Sequence, residues 1–106
     1  VIKAWHVHQK QWDHWIVPYG SIKVLLHDRR IGSSTFQGNM TLCLSDCKPQ
    51  RLSIPPGVAH GLRVLGETPA MLVYFVSEPY NRKEPDEGRY TFSDPWLPTN
   101  WKTEIK

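Results

Sequence analysis

The chain has 106 residues, the length of one domain, and folding at that size buries roughly two-thirds of the surface the unfolded chain exposes. With 40% hydrophobic and 22% charged residues its composition is globular, not disordered. A net charge of +3 without a basic block argues against a nucleic-acid partner, and no apolar run approaches the roughly 20 residues of a membrane span.

Period-two alternation dominates, and no stretch keeps a helical period. A first strand is predicted over Ile2–His8, with His6 and His8 on one face because alternate strand residues point the same way. A turn near Lys10 returns the chain, so that Asp13, on a second strand over Trp12–Val17, projects beside them. Pro18-Tyr19-Gly20 then turns into a third strand, where Ile22, Val24 and Leu26 alternate with Ser21, Lys23 and Leu25. After Gly32-Ser33-Ser34 comes Met40–Leu44, which contains Cys43, and Cys47 lies beyond it in a C-x3-C spacing. Two cysteines are too few for a disulfide framework; they read as free thiols in a reducing, cytoplasmic compartment, and no charged-then-apolar leader is visible.

Arg51–Ile54 is a fifth strand. The tight Pro55-Pro56-Gly57 turn launches a sixth over His60–Leu65, and His60 is the first residue there able to point inward. Beyond Gly66-Glu67-Thr68, Met71–Val76 sets Met71, Val73 and Phe75 on one face and Leu72, Tyr74 and Val76 on the other. From Glu78 the texture changes: Pro79, Pro85, Pro95 and Pro98 describe an extended tail over 78–106 around a body over 1–77. Since Val1 opens within a strand, upstream residues are expected to be missing. Short strands punctuated by turns imply an all-β sandwich or small barrel whose mouth is the ligand cavity.

His6-Val7-His8, Asp13 and Gly20 have the form H-x-H-x4-acid-x6-G, and Pro55 to His60 the form P-x-G-x2-H. The pair is similar to the two motifs of the cupin superfamily, with Asp13 where metal-binding cupins mostly carry Glu and Val64 where the second motif usually ends in Asn. Ile2-Lys3-Ala4-Trp5-His6 further resembles the I-R-G-L-H segment of the dTDP-4-dehydrorhamnose 3,5-epimerase family. Ile54 to Gly61 with Val64-Leu65 resembles its I-P-P-G-x-A-H-G-F-x-V-L. Val73-Tyr74 with Tyr80 resembles its L-Y-x5-Y, and Asp94-Pro95 to Trp101 its D-P-x-L-x-x-x-W.

The resemblance implies a cupin-type double-stranded β-helix (jelly roll) acting on a nucleotide-diphosphate sugar, without a cofactor, as a homodimer whose subunits lend strands to each other. It implies that His6 removes protons beside a 4-keto group, a task suited to imidazole with its ordinary pKa of about 6.5 and worth about 10² to 10⁴ in rate. Tyr74 would return a proton from the opposite face and so invert the centre. His60 would help hold the enolate oxygen. Asp28, eight residues past Gly20, would orient an active-site histidine. Lys3, His8 and Gln11 would contact substrate, Lys3 at the diphosphate, and Tyr80 would stack on the nucleobase.

Three departures stand out: His8 replaces a Gln, Asp13 replaces the Lys expected to steady the enolate, and the family's downstream acidic partner has no clear counterpart before Lys106. Two other functions therefore stay open. One is a metal-dependent cupin, isomerase or oxygenase, with His6, His8, Asp13 and His60 as three-nitrogen, one-oxygen ligands for Fe, Mn, Ni or Zn. The other is a non-catalytic sugar-nucleotide-binding module. Taken singly, the same residues have blander accounts: solvent-facing histidines, Tyr74 in core packing, and Lys3 and Asp28 as surface charges.

Overall fold

Every alternating run of the sequence becomes a strand in the computed structural model, which describes residues 2–79 together with Lys83, Asp86, Gly88 and Arg89. The strands are β1 (Ile2–Val7), β2 (Asp13–Tyr19), β3 (Ser21–Asp28), β4 (Asn39–Ser45), β5 (Leu52–Ile54), β6 (Val58–Val64), β7 (Met71–Val76) and the short β8 (Gly88–Arg89). They form two antiparallel sheets, ordered β4-β3-β6-β1-β8 and β5-β2-β7. No helix among the described residues is long and apolar enough to cross a membrane. The final motif of the sequence, Asp94 to Trp101, and Tyr80 lie outside the described residues.

The sheets face each other across one core, to which Trp15 and Val17 of β2, Ile22 and Val24 of β3, Leu44 of β4, Ile54 of β5 and Val58 of β6 contribute. The expected turn near Lys10 does return the chain, but into the opposite sheet: β1 and β2 are not hydrogen-bonded neighbours. Asp13 therefore approaches the histidines across the sandwich. Both faces of β3 are covered, since Lys23, Leu25 and His27 are buried as well as Ile22 and Val24. The reason is a second apolar cluster of Trp5, Leu25 and Ala59, with Ile2, Ala4 and Val7 packed against it.

Two irregularities shape the ends of the sandwich. Pro18 has no N–H to give to a ladder, and β2 tolerates it because β5 pairs only with Asp13–Trp15 and the β7 register shifts between Ile16 and Tyr19. On β1, Lys3 faces Leu62 and His6 faces His60, so three steps on one strand answer two on its partner. That bulge brings Lys3 and His6 onto one face, which plain alternation forbids.

Gly57 fixes where β6 begins. Its φ is +84°, and a Cβ there would stand 2.5 Å from Arg30 Cγ, so both backbone and space call for glycine. Its N–H donates to the His8 carbonyl at 2.7 Å and its carbonyl accepts from Arg29 N–H at 2.9 Å. One residue thus ties the exits of β1 and β3 to the start of the strand that carries His60.

Candidate active site

His60 lies at the centre of a histidine cluster. Residues directly opposite on antiparallel strands project to the same face, and His6 is the register partner of His60. Their rings stack at 6.2 Å, and the His8 ring stacks on His60 at 5.5 Å. The shared face of His6 and His8 read from the sequence is thus the face that meets His60. Trp15 closes the cluster from the opposite sheet, edge-on to His60 at 5.4 Å. Only 4% of His60 is exposed. Burial pushes its pKa down to about 4 against the opposing pull of the Val58 carbonyl and Asp13, so the ring is neutral at pH 7.

Asp13, 6% exposed, is the carboxylate of the site. Its Oδ1 lies 3.9 Å from His8 Nε2 and its Oδ2 lies 3.7 Å from His60 Nε2. Gln11 Nε2 donates to Oδ1 at 2.7 Å and Trp15 Nε1 to Oδ2 at 3.2 Å, which holds the carboxylate in orientation. Both imidazoles turn their other nitrogen to a backbone carbonyl: His60 Nδ1 to Val58 at 3.2 Å and His8 Nδ1 to Asp86 at 2.5 Å. A carbonyl only accepts, so Nδ1 carries the proton in each ring and Nε2 faces Asp13.

The remaining expected residues divide. Tyr74 is the register partner of Trp15 on β7, so it sits on the inward face of the smaller sheet, at its edge and 61% exposed. Lys3 shares the His6 face through the bulge and is exposed. Gln11 bonds Asp13.

Asp28 departs from expectation. Its carboxylate accepts from Arg30 Nε at 3.0 Å, Arg30 Nη2 at 2.9 Å, Arg30 N–H at 2.8 Å, Ser33 Oγ at 3.2 Å and Thr35 Oγ1. With its oxygens committed to the β3–β4 loop, it orients that loop and no histidine, and these donors, Arg30 foremost, hold its carboxyl well below the usual range.

Asp86 has a role the sequence did not disclose. Its carboxylate accepts backbone N–H groups from Gln9, Lys10 and Gln11 at 2.8, 2.9 and 3.0 Å, and so clamps the chain between β1 and β2. Burial raises its pKa, and the three N–H groups outweigh that and lower it. Nothing in the spacing of an acid within a polar tail marks such a contact. A surface cleft of about 500 Å³ lined by Ile16, Val17, Pro18, Asp46, Pro49, Gln50 and Arg51 contains none of these groups.

Two facing antiparallel sheets with a buried imidazole cluster between them define a cupin-type jelly roll of the sugar-nucleotide isomerase class, as similarity to solved structures bears out. The family model for dTDP-4-dehydrorhamnose 3,5-epimerase matches residues 1–106, and the chain belongs to that family. It is 44% identical over 106 residues to the spore coat polysaccharide biosynthesis protein SpsL of Bacillus subtilis, covering all of this chain and 70% of SpsL. To the probable low-salt glycan biosynthesis epimerase Agl13 of Haloferax volcanii it is 35% identical over 107 residues, covering 99% of this chain and 68% of Agl13. A dTDP sugar isomerase from Desulfovibrio desulfuricans superposes with a TM-score of 0.88 at 30% identity, over 95% of this chain and 64% of that one. A Bacillus anthracis dTDP-4-dehydrorhamnose 3,5-epimerase with TDP and PPi bound gives 0.84 at 26% identity, over 99% of this chain and 60% of that one. This chain thus spans a little under two-thirds of both solved chains.

Proposed function

We propose that the protein epimerises a nucleotide-linked 4-keto-6-deoxy sugar in the assembly of a cell-surface polysaccharide. The observation that carries this reading is the placement of His6 and Tyr74 on the inward faces of opposite sheets in a member of this family. The imidazole of His6 takes the proton from the carbon beside the ketone, and the electron pair moves onto oxygen as an enolate. The Tyr74 hydroxyl then gives a proton to the same carbon from the other side. Base and acid standing on opposite walls is the geometry that inversion needs. Lys3, brought to the His6 face by the bulge, meets the diphosphate as a point charge, and Tyr80 stacks on the base.

The protein works as a homodimer in the cytoplasm on this reading. Support comes from the exposed apolar residues of edge strand β7, Met71, Tyr74, Phe75 and Val76, and from the exposed free thiols of Cys43 and Cys47. Incubation with a dTDP-4-keto-6-deoxyhexose in heavy water tests the chemistry. Deuterium is expected on a carbon flanking the ketone, identified by NMR, and a sugar recovered without deuterium would overturn the assignment.

A further inference from the structure

We propose, resting on the epimerase reading, that the guanidinium of Arg89 stands beside His6 and hydrogen-bonds the enolate oxygen as it forms. Strand register carries this placement. Arg89 of β8 is the direct partner of His6 on β1, and partners directly opposite on antiparallel strands project to one face with Cβ atoms about 5 Å apart. His60, His6 and Arg89 thus form one row across the neighbouring strands β6, β1 and β8.

Two features of the returning chain fix the register. Gly88 is the partner of Val7, and a Cβ built on it would lie 2.9 Å from Val7 Cγ1. Gly88 therefore faces the Val7 side of the sheet, and its neighbour Arg89 faces the His6 side. The missing side chain also lets β8 lie close against β1. Three residues before Arg89, the Asp86 carboxylate accepts the N–H groups of Gln9, Lys10 and Gln11, and its carbonyl accepts from His8 Nδ1. A slip of one residue would turn Arg89 to the opposite face, and these bonds oppose it.

Charge explains why a cation belongs there. Removing a proton beside a ketone leaves a negative oxygen, and this site already holds the Asp13 carboxylate, 3.7 Å from His60. His60, kept neutral at pH 7 by burial, brings no positive charge to offset it. Among the described residues, register places two cationic side chains on the His6 face, Lys3 and Arg89. Lys3 lies three residues back along β1, opposite Leu62, whereas Arg89 is directly opposite the base. The oxygen is two bonds from the carbon that loses its proton, so its donor has to stand next to the base. A guanidinium suits the task because it is always cationic and presents several N–H groups in one plane. The step balances without another reactant: the proton passes to His6, the electron pair moves onto oxygen, and Arg89 donates hydrogen bonds but no proton.

The test separates kcat from KM. With a dTDP-4-keto-6-deoxyhexose in heavy water, Arg89→Met is expected to lower kcat for deuterium exchange about 10²- to 10³-fold with KM unchanged, the mark of an interaction made only in the transition state. Arg89→Lys should recover part of that loss. Guanidinium chloride at low concentration, added to Arg89→Ala, should restore exchange in a saturable way and leave His6→Ala inactive, a result that a misfolded variant cannot give. Far-UV circular dichroism should match the wild type, because Arg89 is exposed on an edge strand. A rise in KM alone, or an Arg89→Ala that guanidinium does not rescue, overturns the role of Arg89. Wild-type protein that leaves the sugar free of deuterium overturns the epimerase reading, whereas exchange at the wild-type rate in Arg89→Met overturns the part played by Arg89 alone.

Discussion

Burial gives His60 a property that none of its neighbours advertises in the sequence: a proton it gives up far below neutrality. Its folded pKa, about 4, lies below the ordinary imidazole value of about 6.5, so on acidification the unfolded chain takes up the proton first. Stability is complete above about pH 6.5 and falls as pH drops toward 4, by up to about 1.4 kcal/mol per unit. Urea unfolding at pH 7.5 and pH 5 should show that loss, and His60→Gln should flatten it. His6 and Tyr74 are predicted to matter to turnover instead. His6→Ala and Tyr74→Phe should each cut deuterium exchange by about 10² to 10⁴ while far-UV circular dichroism stays unchanged, since Tyr74 is 61% exposed. The histidines and Asp13 were legible because their spacing follows strand alternation. Asp28 was misread because an acid after a turn looks the same whether it orients a histidine or caps its own loop.

Elements place these residues through backbone features that side-chain patterns do not encode. The β1 bulge decides that Lys3 and His6 share a face, and the β6 start decides that His60 meets His6. Gly57 controls the second of these. Gly57→Ala must hold a left-handed backbone, costing about 1–2 kcal/mol, and must also push Arg30 aside from 2.5 Å. A fall in melting temperature of at least about 4–8 °C is expected. Because the same peptide unit bonds the His8 carbonyl, the exit of β1 loosens with it. An unchanged melting temperature would show that the turn is less constrained than its geometry requires. Pro55-Pro56-Gly57 was readable as a turn, but its contact with Arg30 was not, because the two segments are distant in sequence.

For the whole molecule the decisive surface is the edge of the smaller sheet. Among the described residues β7 has one neighbour, β2, and its other side is unpaired, with Phe75 61% exposed and Met71 and Val76 exposed beside it. Such an edge invites a second strand. Phe75→Lys should shift the protein from dimer to monomer in light scattering without loss of circular dichroism, and a wild type that already elutes as a monomer would refute the dimer.

The sequence alone determined where the strands run and which histidines and carboxylate come forward as candidates for the chemistry, because alternation, turn residues and histidine spacing are local and each strand repeats them. Tertiary structure decided how those pieces meet: that the chain crosses to the opposite sheet between β1 and β2, that Asp13 and not Asp28 faces the imidazoles, and that Asp86 pins the crossing segment. These outcomes rest on backbone N–H and C=O groups, which every residue shares and no residue type announces.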